Sequence, residues 1–172
     1  MTPAQSEAEA KAAAEAAAAK REAEIKAARL DISNKLKRSE KLTLDSFKQA
    51  EIAGVTAENF AQVQAEILQL PQASRSDINE VLKVARKYEV VGQIASGQAN
   101  SLSINAFVEV GLIPAESKNK VALIAAVRRA PSDDRDSFTK IKAAIAAEFA
   151  TITARKDRLA SAISRIKNRL TL

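Results

Sequence analysis

The sequence predicts an all-α fold: two tandem three-helix repeats set between a long Ala-rich N-terminal helix and a long C-terminal helix. Three observations carry this. The 172 residues include only four Gly and four Pro, which leaves few turns. Twelve of the twenty-one residues from 8 to 28 are Ala, the strongest intrinsic helix former. Residues 42–91 also align, without a gap, with the stretch sixty residues later. Leu42, Phe47, Asn59, Ala65, Pro71 and Arg75 recur as Leu102, Phe107, Asn119, Ala125, Pro131 and Arg135. The apolar pairs Ile52/Leu112, Val63/Leu123, Ile67/Val127, Ile78/Phe138 and Val81/Ile141 coincide in the same register. Self-similarity at a long fixed period marks a tandem supersecondary unit.

In chain order, residues 1–41 form an Ala-rich helical arm, helical from about Ser6, with favourable i,i+4 pairs at Glu7/Lys11 and Glu22/Lys26. Its large apolar residues begin at Ile25 and continue through Ile32 and Leu36. Repeat 1, residues 42–91, opens with a short helix capped by Thr43 or Asp45 and broken at Gly54. Thr56 is then placed to cap a second helix over 57–70, with Phe60, Val63, Ile67 and Leu70 on one face. A loop at 71–74 leads to a third helix, which Asp77 and Glu80 open in capping-box spacing. Residues 92–101, rich in Gly, Ser and Asn, read as a linker.

Repeat 2, residues 102–150, breaks first at Gly111-Leu112-Ile113-Pro114, then places helices over about 115–130 and from about Asp136. The last helix continues into a basic extension, residues 151–172. Phe138, Ile141, Ile145, Phe149, Ile152, Lys156, Leu159, Ile163, Ile166 and Leu170 step by three or four residues throughout, a heptad seam with one stutter. Counted outward from the repeats, Leu36 would meet Leu159, Ile32 would meet Ile163 and Ile25 would meet Leu170 if the two long helices paired antiparallel.

Composition narrows the chemistry. The chain has no Cys, His or Trp, so disulfides, thiol nucleophiles and His/Cys zinc sites are excluded, and no cofactor or metal site is expected. General acid–base work near neutral pH would need a tuned Glu, Asp or Lys, and no residue is assigned to catalysis. Aromatics make up 3% of the chain, so core energy comes from a sparse set of Ile, Leu, Val and Phe. No run of about 18 uncharged apolar residues is present, and membrane insertion is not expected. The opening Met1-Thr2-Pro3-Ala4-Gln5 lacks a basic stretch followed by an apolar one, so no secretory signal is expected in the chain as given.

The pattern Leu42-Thr43, Phe47, Ala50, Ile52, Gly54-Val55-Thr56, Asn59-Phe60, Val63, followed by Asp77-Ile78-Asn79-Glu80-Val81-Leu82, resembles the Ala-rich helical repeats of large bacterial cell-surface and adhesin-like proteins. It is more loosely similar to three-helix surface modules of the albumin-binding GA type. The resemblance covers about fifty residues well and the next fifty loosely; Pro114 and Lys120 depart from it where repeat 1 has Gly54 and Phe60. It implies a spacer or binding module of a surface protein, adhesin, filament or virion, with no catalytic residues to transfer. Outside that resemblance a cytoplasmic location is expected.

The net charge of +6 is concentrated at one end: residues 151–172 hold six Lys or Arg and one Asp. Arg155, Lys156, Arg158, Arg165, Lys167 and Arg169 are therefore the candidate partner-binding residues. A basic helix of this kind can pack its seam on protein, neutralise phosphates, or lie on an anionic surface. A protein partner, by self-association or within a larger assembly, is the leading expectation, with nucleic acid as the alternative. Asp133-Asp134-Arg135-Asp136 lacks the ligand alternation and Gly turn of a calcium loop and reads as helix capping. Asn59 and Asn119 read as local backbone hydrogen bonders.

Overall fold

Helix α1 (Pro3–Lys37) starts where Thr2 and Gln5 close a reciprocal capping box, with Pro3 in the first turn. The computed structural model describes residues 2–171, and all regular structure among them is helical. The chain divides into two units, Met1–Glu89 and Val90–Leu172.

In the first unit, α1 is exposed along its Ala-rich part and buries only Ile32, Ser33 and Leu36 near its end. It stops at Ser39, which takes a left-handed φ of 56°, while the Glu40 N–H bonds back to the Lys35 carbonyl at 2.9 Å. This is a Schellman stop. Helix α2 (Leu44–Gln49) is capped by the Thr43 hydroxyl, which accepts from the Ser46 N–H. It ends the same way, with Glu51 at φ 48° and the Ile52 N–H bonded to the Phe47 carbonyl at 3.0 Å. Arg29 donates to the Ala50 carbonyl and Arg21 pairs with Glu51, so α1 satisfies the exposed end of α2.

Helices α3 (Phe60–Gln69), α4 (Gln72–Arg75) and α5 (Ile78–Ala95) complete the layer around one core. Ile32, Leu36, Leu42, Phe47, Val63, Ile67 and Val81 are each 4% exposed or less. Phe60 meets Phe47 edge to face, with centroids 6.1 Å apart. Gly54, at φ 87°, presses its backbone on α5: a Cβ there would lie 2.3 Å from the Ala85 carbonyl oxygen. Beside it, Thr56 and Asn59 exchange side-chain and backbone hydrogen bonds, and Asn59 Nδ2 donates to the Gly54 carbonyl at 2.8 Å.

The unit boundary falls inside α5, whose Val90 and Ile94 belong to the second core. α5 ends at Gly97, φ 81°, with the Gln98 N–H on the Gln93 carbonyl. A 3-10 turn at Ala99–Ser101 leads to α6 (Ile104–Glu109), capped by Ser103. Then come α7 (Lys120–Arg129), a 3-10 turn at Ser132–Asp134, and α8 (Phe138–Leu170), capped by Ser137. Phe107, Leu112, Ile113, Leu123, Val127 and Ile141 form the core with Val90 and Ile94. Arg135 Nη1 donates to the Arg128 carbonyl at the end of α7, as Arg75 does to the Leu70 carbonyl at the end of α3.

Several local expectations change. Regular helix begins at Phe60 and Lys120, later than 57 and 115, because the Thr56–Asn59 exchange and the Pro114–Ser117 turn occupy those residues. The stretch after Pro71 is a helical turn, and α5 runs on to Ala95, taking in the first residues read as linker. Asp77 accepts from the Asn79 N–H, while Glu80 pairs with Lys83 instead of closing a box. At α8 the cap is Ser137; Asp136 pairs with Lys140, whose ammonium it holds above the ordinary range. Ile32 and Leu36 are used up in the first unit's own core, whereas Leu159, Ile163 and Leu170 are exposed.

Gly54→Ala should cost at least about 2 kcal/mol in chemical denaturation, since it combines a left-handed φ with a clash against backbone. Gly92→Ala, inside α5 with open space around it, should be neutral or stabilise by up to about 1 kcal/mol. Tyr88, the only tyrosine, offers a second check. Burial, then its hydrogen bond to Glu66, pushes the phenol up to about 12. The raised value means that this contribution to stability is intact below pH 10 and is lost as pH climbs toward 12. Absorbance at 295 nm should titrate near 12 in the folded chain and near 10 in denaturant.

Candidate interaction surface

Pro114 cannot follow the path of Gly54. Its ring fixes φ and adds bulk, and the loop that carries it before α7 lies across from α8. Between them lies an open groove of about 870 Å³. Leu112, Leu123 and Ile145 form its buried floor, and Pro114, Ala143, Ala146 and Phe149 its apolar sides. Lys118, Lys142 and Lys156 stand on its rim against a single carboxylate, Glu116. Phe149 is 53% exposed, the most open large aromatic that the structure describes. Lys142 also covers the Phe138 ring, its ammonium 5.6 Å from the centroid.

α8 first buries Ile141 and Ile145, packs Ile152 on the same core, and then leaves it. Beyond that point the seam is bare: Leu159, Ile163, Ile166 and Leu170 are 45–81% exposed. The six basic residues named from sequence all lie on this helix and all are exposed. At about 100° per residue from the middle of the bare row, Arg155 and Lys156 lie about 50° to either side, Lys167 about 70°, and Arg158 and Arg165 about 110° and 130° away. Arg169 lies to the side. Only Lys156 borders the groove.

No family model matches this chain, and no curated protein or solved structure matches it.

The other sequence candidates have local structural roles. Asn59 bonds only its own loop in the contacts described above, and the Asp133–Asp136 stretch serves Lys140 through the Asp133 carbonyl and the Asp136 carboxylate. Among the described residues no group of acidic side chains gathers in a way that could hold a metal ion. No helix there is long and apolar enough to cross a membrane. Sequence reasoning placed Phe149 in the seam of the last helix but missed the groove that it lines. The signal lay in the aligned halves, where Gly54 faces Pro114 and Glu89 faces Phe149.

Because Phe149 and Leu159 support no core, Phe149→Ser and Leu159→Ser should each change unfolding free energy by less than about 0.5 kcal/mol. Phe107→Ala, at a position with no exposure, should cost about 3–5 kcal/mol in the same assay.

Proposed function

We propose that this chain is a non-catalytic interaction module: two tandem three-helix units that hold the amphipathic second half of α8 out for a protein partner, as one component of a larger assembly. The resemblance of residues 42–91 to bacterial surface repeats makes a surface protein, adhesin, filament or virion the proposed setting. The tandem arrangement is supported by helix starts at Leu44 and Ile104, at Phe60 and Lys120, and at Ile78 and Phe138, each pair sixty residues apart. Thr43 and Ser103 cap in the same manner. The Ile52–Phe47 and Leu112–Phe107 backbone bonds correspond, as do the bonds of Arg75 and Arg135 to the carbonyl ends of α3 and α7.

The observation that carries the interaction reading is the bare row Leu159, Ile163, Ile166 and Leu170. An apolar heptad row on a helix is stabilised only when another surface covers it. A non-catalytic role is supported by the chemistry at hand. The groove offers Lys and Glu side chains, and the chain has no His or Cys to carry proton transfer near neutral pH.

The basic end of α8 favours one alternative, a nucleic-acid-associated helix. Phosphate contacts by its six cations would make binding weaken steeply with salt, with a log–log slope near about −5. Titration of a nonspecific 20-base-pair duplex separates the readings. The protein-interaction reading predicts no saturable binding below about 10 µM at 150 mM salt. Tight binding with that steep slope would replace it with the alternative.

A further inference from the structure

Lys142, Phe149, Lys156, Ile163 and Leu170 are spaced by seven residues throughout, so the groove and the bare seam belong to one stripe along α8. Within the second unit this stripe runs about 42 Å at 1.5 Å per residue. It starts as a groove with an apolar floor and continues as an open helix face. A seven-residue row drifts about 20° per turn-pair around a straight helix, so an occupant in contact all along it must wind with it, as a supercoiled helix does.

The charge around the stripe selects the occupant. Lys118, Lys142 and Lys156 border the groove, and Arg155 and Lys167 flank the seam; Glu116 is the acidic residue on the groove rim. A second copy of α8 would set these cations against themselves. The Ala-rich part of α1 from another copy would bring no large apolar side chain to fill the groove, since residues 3–24 contain none. A phosphate backbone would satisfy the cations but leave Phe149, Leu159 and Ile163 uncovered.

Resting on the interaction reading above, we infer that the stripe is the docking site for an acidic amphipathic helix of a different protein, with an apolar residue seated against Phe149 and Glu or Asp flanking its apolar row. Phe149 is the anchor because it is aromatic, exposed and beside the buried floor of the groove. The seam beyond it supplies length and register. The cations choose the partner's charge and steer its approach.

The test uses the full chain and a fluorescein-labelled helical peptide of about 28 residues, with Leu and Ile at heptad positions and Glu at the flanking ones. Comparators carry Lys for Glu, or Ala for the apolar row. Anisotropy at 150 mM salt should show the Glu peptide binding at least about tenfold more tightly than either comparator. Phe149→Ala and Ile163→Ser should each weaken it at least about fivefold, whereas Arg158→Ala, on the far side, should not. All three positions are exposed, and circular dichroism checks that the variants stay folded. Equal binding of the Lys peptide, or indifference to Phe149→Ala, would overturn the inference. So would tighter binding to vesicles containing phosphatidylserine than to the Glu peptide. If the chain instead self-associates through α8, with Ile163→Ser dissolving the oligomer and no Glu-peptide binding, this inference falls while the interaction reading stands.

Discussion

Large apolar side chains are scarce in this chain, and the way they are divided along two long helices determines the rest. α1 spends its two strongest, Ile32 and Leu36, inside the first core and carries alanine before Ile25. α8 spends Ile141 and Ile145 inside the second core and keeps four more beyond it. Alanine can stay in water at little cost, so the bare part of α1 needs no cover. Leu and Ile at heptad spacing are different, because each fully buried side chain of that size is worth roughly 1.5–3 kcal/mol. The two long helices therefore differ in what they leave exposed, alanine on one and large apolar side chains on the other.

The halves also differ at two aligned positions that border a surface. In the first unit a glycine lets the loop before α3 lie on α5, and the site is closed by backbone contact. In the second, a proline stands at the aligned position, the residue aligned with Glu89 is Phe149, and both line the groove. Each change alone would do little: a groove without an aromatic anchors weakly, and an exposed aromatic without a groove has nothing to frame it. Together they place an apolar pocket at the root of a helix whose exposed face already has the matching period.

Much of the architecture was legible because local chemistry agreed with the long-range pattern. Thr43 announced its helix, the Ile and Val rows announced their buried faces, and the unbroken three-and-four spacing announced α8. Helix starts after the first break were misjudged because Thr56 and Asn59 bond to each other before the helix begins, which no periodicity reveals. Apolar periodicity says that a row such as Ile32 and Leu36 will be buried but not against which surface, here the first unit's own core. The groove was hidden for a related reason, since it depends on how far a loop backbone stands from a helix. Pro114 was visible as a departure between the halves and Phe149 as a seam residue; their joint meaning required the fold.

Residue-resolved amide hydrogen exchange on the chain without a partner tests the central claim, that α8 is half core and half uncovered docking helix. Without tertiary support a segment of about twenty residues is only marginally helical in water. Amides of residues 141–149 should be protected close to the global stability of their unit, and those of residues 157–170 should exchange within about 2 kcal/mol of the unfolded limit. Uniform strong protection along the whole of α8 in a monomeric sample would contradict the account, because it would mean that the chain already covers the seam itself.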